Sequence, residues 1–127
     1  MKGVKIEKLN IVKENKKGVA FHFENRPCEK MLYVRRKKGT ISGSHYHQGK
    51  SKMKNPEMLL FLSGKFEAYF KDLKSKEEMK VLLDYPAMIK ISPNIYHEVK
   101  ALTDITFIDM NSLEEGLEDT IKGLPKV

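Results

Sequence analysis

Almost every apolar stretch in this chain is short, rich in Val, Ile, Phe and Tyr, and closed off by Gly, Pro or Asn. That punctuation leaves little room for long helices and favours a sandwich or barrel of many strands. Segments 4–11, 19–23, 31–36, 44–47, 57–62, 66–70, 79–83, 88–91, 95–99 and 105–110 read as strands, several with clear alternation, as in Met88-Ile89-Lys90-Ile91. Ser63-Gly64-Lys65 joins two apolar runs and reads as a tight hairpin turn. The polar segment 72–78 reads as a longer hairpin. One helix is expected, over 112–122, where Ser112 and Glu115 have the spacing of a capping box and Gly123 with Pro125 would stop it. It reads as a small lid or packing helix.

At 127 residues the chain is one domain with enough material for a real core. With 40% apolar and 32% charged residues, it is expected to fold rather than remain disordered. No apolar run approaches the roughly 20 residues of a membrane helix. No apolar run follows the charged opening MKGVKIEKLN, so no signal peptide is expected and the cytoplasm is the default compartment. Cys28 is alone and cannot form an internal disulfide. The net charge of +7 would suit an anionic small molecule. Its lysines are scattered, and the one dense run, Arg35 to Lys38, lacks the interleaved aromatics of a nucleic-acid surface, so it reads as a solvated strand end.

The chain has four histidines, and their placement carries the chemistry. His45 and His47 are two apart and face the same way on a strand. His97 follows fifty residues later, just after a Pro-Asn turn, and Glu57 opens the apolar run in between. Three neutral nitrogens and one carboxylate make a site for a divalent transition metal such as iron, manganese, nickel or zinc, rather than for magnesium or calcium. Singly, each histidine has a structural explanation, and only the conjunction points to a site. His22, in Phe21-His22-Phe23-Glu24, has no partner nearby and reads as a surface residue. Tyr46 and Tyr96 alternate with site histidines and should face away from them, while the parity of Tyr33, Glu67 and Tyr69 stays open. The seven methionines read as core filler.

Gly39-(x5)-His45-x-His47-(x9)-Glu57-(x6)-Gly64 resembles the first motif of the cupin superfamily, and residues 91–97, Ile-Ser-Pro-Asn-Ile-Tyr-His, resemble the second. Motif 1 spans about 39–64 and motif 2 about 86–101, within one cupin domain over 1–127. The resemblance implies an all-β fold, the double-stranded β-helix or jelly-roll barrel, with a short C-terminal helix. It also implies one metal ion on His45, His47, Glu57 and His97. The sequence departs from the motifs in four places. The spacer 48–56 is nine residues long and must bulge as a loop at the barrel mouth, where Lys50, Lys52 and Lys54 would meet an anionic ligand. Asn94 stands for a motif glycine, and asparagine tolerates the left-handed conformation that the turn needs. Pro93 is displaced by one position, and Pro86 stands for an earlier glycine.

Fold does not give function. A looser similarity to small cupins that isomerise or epimerise sugar nucleotides implies an enzyme acting on a small polar metabolite. In a metal-free version of that reading, His45, His47 or His97 is the catalytic acid or base. An iron-dependent dioxygenase with the same ligands is one alternative, and a non-catalytic small-molecule-binding cupin another. Apolar residues on both faces of 57–62 imply a strand covered on both sides, and from that a homodimer. Neither nucleic-acid nor membrane partners are expected.

Overall fold

The computed structural model describes residues 1–125, apart from the side chain of Glu115. Two five-stranded antiparallel sheets carry the fold. The first has the order β1 (Val4–Lys8), β9 (Ala87–Ile91), β6 (Glu57–Ser63), β11 (Ile105–Asp109), β4 (Leu32–Arg36). The second has the order β12 (Ile121–Lys122), β5 (Ile41–Tyr46), β10 (Ile95–Ala101), β7 (Lys65–Asp72), β8 (Glu78–Asp84). A separate hairpin pairs β2 (Ile11–Asn15) with β3 (Gly18–Phe21). The architecture is the expected jelly roll. No helix among the described residues is long and apolar enough to cross a membrane.

Alternation along the strands gives the barrel a dry end and a polar end. Inward positions run Glu57, Leu59, Phe61 on β6 and His97, Val99, Ala101 on β10, while β11 runs the other way, Ile105, Phe107, Asp109. Antiparallel pairing sets Phe107 opposite Phe61 and Asp109 opposite Leu59, so the charged members gather at one end. The other end closes on aromatic packing, with Phe61 and Phe66 stacked at a centroid distance of 3.9 Å.

Several sequence expectations change here. Ser63-Gly64-Lys65 is not a hairpin turn: β6 and β7 lie in different sheets, so it is the corner where the chain crosses between them. Gly64 has φ 88°, and a Cβ there would sit 2.2 Å from the Asp104 carbonyl oxygen, which is why the corner takes glycine. The helix is α1 (Leu113–Glu118), shorter than 112–122, because the chain returns to strand at β12 and pairs with β5. The Glu115 half of the capping box lies outside the described residues. Segment 72–78 does join the paired strands β7 and β8.

Both faces of β6 are buried, as expected, but by the chain itself. Met58 and Leu60 pack with Met88 and Met110 under Leu9 and Phe21 from the N-terminal segment. This removes the reason for inferring a homodimer from that strand.

Candidate active site

The site is built on β5, β6, β10 and β11 at the polar end of the barrel. On β5 a bulge sets the aim of the histidines. His45 lies opposite His97, yet Ser42 lies opposite Val99, so three residue steps on β5 match two on β10. Gly43 and Ser44 absorb the extra residue with φ of 88° and 55°. A Cβ on Gly43 would approach the His97 carbonyl oxygen to 2.8 Å. The bulge lets Ser42, His45 and His47 all face the interior, while Tyr46 and Tyr96 are buried without lining the cavity. On the opposite side, Asn94 takes φ 63°, as its motif position requires, and its N–H donates to the His47 carbonyl at 2.7 Å.

One ligand atom from each of His45, His47, Glu57 and His97 falls within 4.8 Å of the others. The nine-residue spacer does not keep Glu57 away. His47 Nε2 is 2.8 Å and His97 Nε2 3.1 Å from the same oxygen, Glu57 Oε2. Nδ1 of His47 donates to the Asp119 carbonyl at 2.5 Å, and Nδ1 of His97 to the Ile95 carbonyl at 3.0 Å. A carbonyl only accepts, so both Nδ1 atoms carry hydrogen. Each Nε2 then presents either a lone pair or, in the imidazolium, a second proton to the carboxylate. Among the described residues, no hydrogen bond engages the half-buried His45 ring.

The spacer is also not a loose bulge at the mouth. It closes through a 3-10 turn, Lys52–Lys54, capped by the Ser51 hydroxyl. The Asp119 carboxylate accepts from the N–H groups of Gln48, Gly49 and Ser51. The Arg26 guanidinium donates to the carbonyls of Lys52, Met53 and Pro56. Lys50 and Lys52 stay exposed, but Lys54 is only 3% exposed and enters the site. Its Nζ lies 3.0 Å from Glu57 Oε1 and 3.3 Å from Asp109 Oδ2. Sequence reading placed Lys54 at the mouth and missed Asp109, Asn111 and Asp119. Nothing local announced Asp119, which lies 68 residues beyond Ser51.

The electrostatics follow from burial. For Glu57, burial raises the carboxyl's pKa, but His97, His47 and Lys54 outweigh it and hold the group well below the usual carboxylate range. Burial pushes Asp109 up to about 8, with the Glu57 carboxylate adding to the effect and Lys54 opposing it. Burial, reinforced by His97, pushes His45 down to about 3, so its imidazole is neutral at pH 7.

Asp109 therefore makes a pH signature. Its carboxyl ionises near 3.8 in the unfolded chain and near 8 in the fold. Between those values the native state holds the extra proton, so this group's contribution is fully present below 3.8 and is lost as pH rises through about 8. Urea unfolding of wild type and Asp109→Asn between pH 5 and 8 should show the wild type losing stability relative to the variant as pH rises. A constant or rising difference would count against the assignment.

A cavity of about 380 Å³ opens above the cluster. Its walls are Leu32, Val34, Leu59, Val99 and Phe107, α1 contributes Leu113 and Leu117, and Arg36 and Lys122 add two cations. Arg36, read from sequence as part of a solvated strand end, thus lines the cavity. His22 is exposed and takes no part, and Tyr33 is exposed too. Glu67 and Tyr69 line a separate surface groove with Glu98 and Lys100.

The fold is a cupin-like jelly roll. No family model matches the sequence, and no curated protein matches it. Solved structures do. A 3,4-ketoisomerase from Thermoanaerobacterium thermosaccharolyticum in complex with TDP superposes with a TM-score of 0.73 at 20% identity, covering 97% of this chain and 89% of that one. The TDP-quinovose 3,4-ketoisomerase of Campylobacter jejuni gives 0.65 at 21% identity, covering 87% and 85%. The dTDP-4-dehydrorhamnose 3,5-epimerase of Sulfolobus tokodaii gives 0.66 at 17%, covering 98% and 73%. At these identities the likeness establishes the fold.

Proposed function

We propose that this chain is an isomerase of nucleotide-linked keto-sugars. The observation that carries the reading is the division of labour among the histidines. Two are anchored through Nδ1 and aimed at Glu57, while His45 is neutral, uncommitted and faces the cavity. Its position suits it to take a proton from the carbon beside a ketone, and the phosphate charge of a bound nucleotide would raise its depressed basicity toward the working range. The C–H electron pair becomes a C=C bond and the carbonyl becomes an enolate oxygen; the hydroxyl proton on the deprotonated carbon passes to that oxygen, leaving the new carbonyl behind, and the base returns its proton to the former carbonyl carbon. No oxidant or reductant is consumed. The fold shared with ketoisomerases and an epimerase supports the same class, and Arg36 and Lys122 suit the phosphates of a nucleotide.

The test is solvent exchange. With TDP-4-keto-6-deoxyglucose in deuterated buffer, NMR should show deuterium entering beside the ketone together with isomerised product, and His45→Gln should abolish both. Absence of exchange in the wild type, both as purified and after metal reloading, rejects the reading.

The donor set favours a second proposal that assigns His45 differently, one divalent transition metal ion on His45, His47, Glu57 and His97. His97 Nε2 is buried without a hydrogen-bond partner in good geometry, and two imidazoles turn Nε2 toward one carboxylate oxygen. Nitrogen-rich donors with one carboxylate fit iron, manganese, nickel or zinc. Bound there, such an ion would polarise a substrate carbonyl. His45 would then serve as ligand rather than base. Iron in particular would favour the dioxygenase alternative.

A further inference from the structure

Along β11 and just beyond it, Phe107, Asp109 and Asn111 face the cavity on alternate positions, while Met110 points into the outer core. Two of their polar atoms have no hydrogen-bond partner among the described residues, although both are buried: Asp109 Oδ1 and Asn111 Oδ1. Asn111 is 1% exposed. Its amide is oriented by Nδ2, which donates to the Ser112 carbonyl at 2.7 Å, and Oδ1 is left unmatched on a residue that lines the cavity. Asp109 Oδ2 is engaged by Lys54, which leaves Oδ1. Buried polar atoms are expensive to leave unmatched, so a ligand filling this cavity must answer them.

The chemistry of that answer is narrow. A carboxylate or phosphate only accepts and cannot pair with Asn111 Oδ1. An ammonium group could donate, but it would have to approach the Lys54 cation. A hydroxyl both donates and accepts, and matches each atom. We propose that Asp109 and Asn111 form a hydroxyl-reading wall that holds the sugar ring of the ligand beside the histidines. The inference rests on the sugar-nucleotide reading above and names the residues that would select the sugar.

Calorimetric titration with TDP-glucose, its singly deoxygenated analogues and TDP alone tests it. Wild type should bind TDP-glucose more tightly than TDP. Asn111→Leu should lose roughly tenfold on TDP-glucose, the size of one hydrogen bond, with TDP unchanged. Because the variant could misfold, the analogues give a test within the wild type. Removing at least one ring hydroxyl should cost a similar factor there and nothing further in Asn111→Leu or Asp109→Ala. If TDP-glucose binds more tightly but no hydroxyl deletion matters, or if the variants weaken TDP equally, the wall is wrong and the nucleotide-sugar reading stands. If neither nucleotide binds, NMR shifts with millimolar gluconate decide. Shifts lost in Asn111→Leu keep the wall and reject the nucleotide; shifts absent, or unchanged by the variant, overturn both.

Discussion

Replacing Lys54 with methionine is expected to cost about 3–5 kcal/mol of folding stability, the range for removing one partner from a buried ionic cluster. Methionine matches the length of the lysine stem, so packing is largely kept while the cation is lost. Its ammonium is the only lysine or arginine group within ion-pair distance of Glu57 or Asp109 among the described residues. Without it the buried Glu57 carboxylate loses its ammonium partner, and Asp109, which keeps its proton until about pH 8, cannot supply a positive charge in its place. Equilibrium urea unfolding at pH 7 measures the effect. The double variant Lys54→Met/Glu57→Gln should recover part of the loss, with a coupling of about 0.5–3 kcal/mol, because the uncompensated charge has gone. A loss below about 1 kcal/mol for Lys54→Met would mean that the lysine points to solvent and that the loop 48–56 does not fold inward.

The second large effect concerns the proposed metal. Protein purified without a chelating resin should carry about one equivalent of a divalent transition metal per chain. His47→Ala should lose it by more than the roughly 10–100-fold typical of removing an outer-shell partner. Elemental analysis reads the outcome directly, and His22→Ala is the control, since His22 is exposed and outside the cluster. Unchanged metal in His47→Ala would sink the four-residue site. A wild type that is metal-free and cannot be reloaded would leave His45 as the base and Glu57 as the counter-charge to the anchored imidazoles.

Much of this was legible in the residues. Period-two alternation exposed most strands, and the conjunction of His45, His47, Glu57 and His97 marked the cluster that the fold does assemble. The misses share a physical cause, which is that pairing partners are not local. Ser63-Gly64-Lys65 looks like a hairpin because adjacent strands usually pair, and only the three-dimensional corner against Asp104 shows otherwise. Lysine is normally a surface residue, so Lys54 read as solvated until Glu57 and Asp109 were seen to compensate it. β12 is two residues long and gave no pattern to detect. Asp119 acts mainly through backbone groups of a distant loop, whose positions no side-chain motif encodes.

The bulge at Gly43 and Ser44 has a consequence for how relatives of this chain are compared. Side chains on a strand keep time by twos, and the extra residue shifts that beat once, between Ser42 and His45. A relative lacking one residue there would carry the same His-Tyr-His triplet with Tyr46 turned inward and both imidazoles turned out. An alignment gap at this point is therefore a change of chemistry even where every letter of the motif is retained. A substitution count would pass over the one difference that dismantles the cluster.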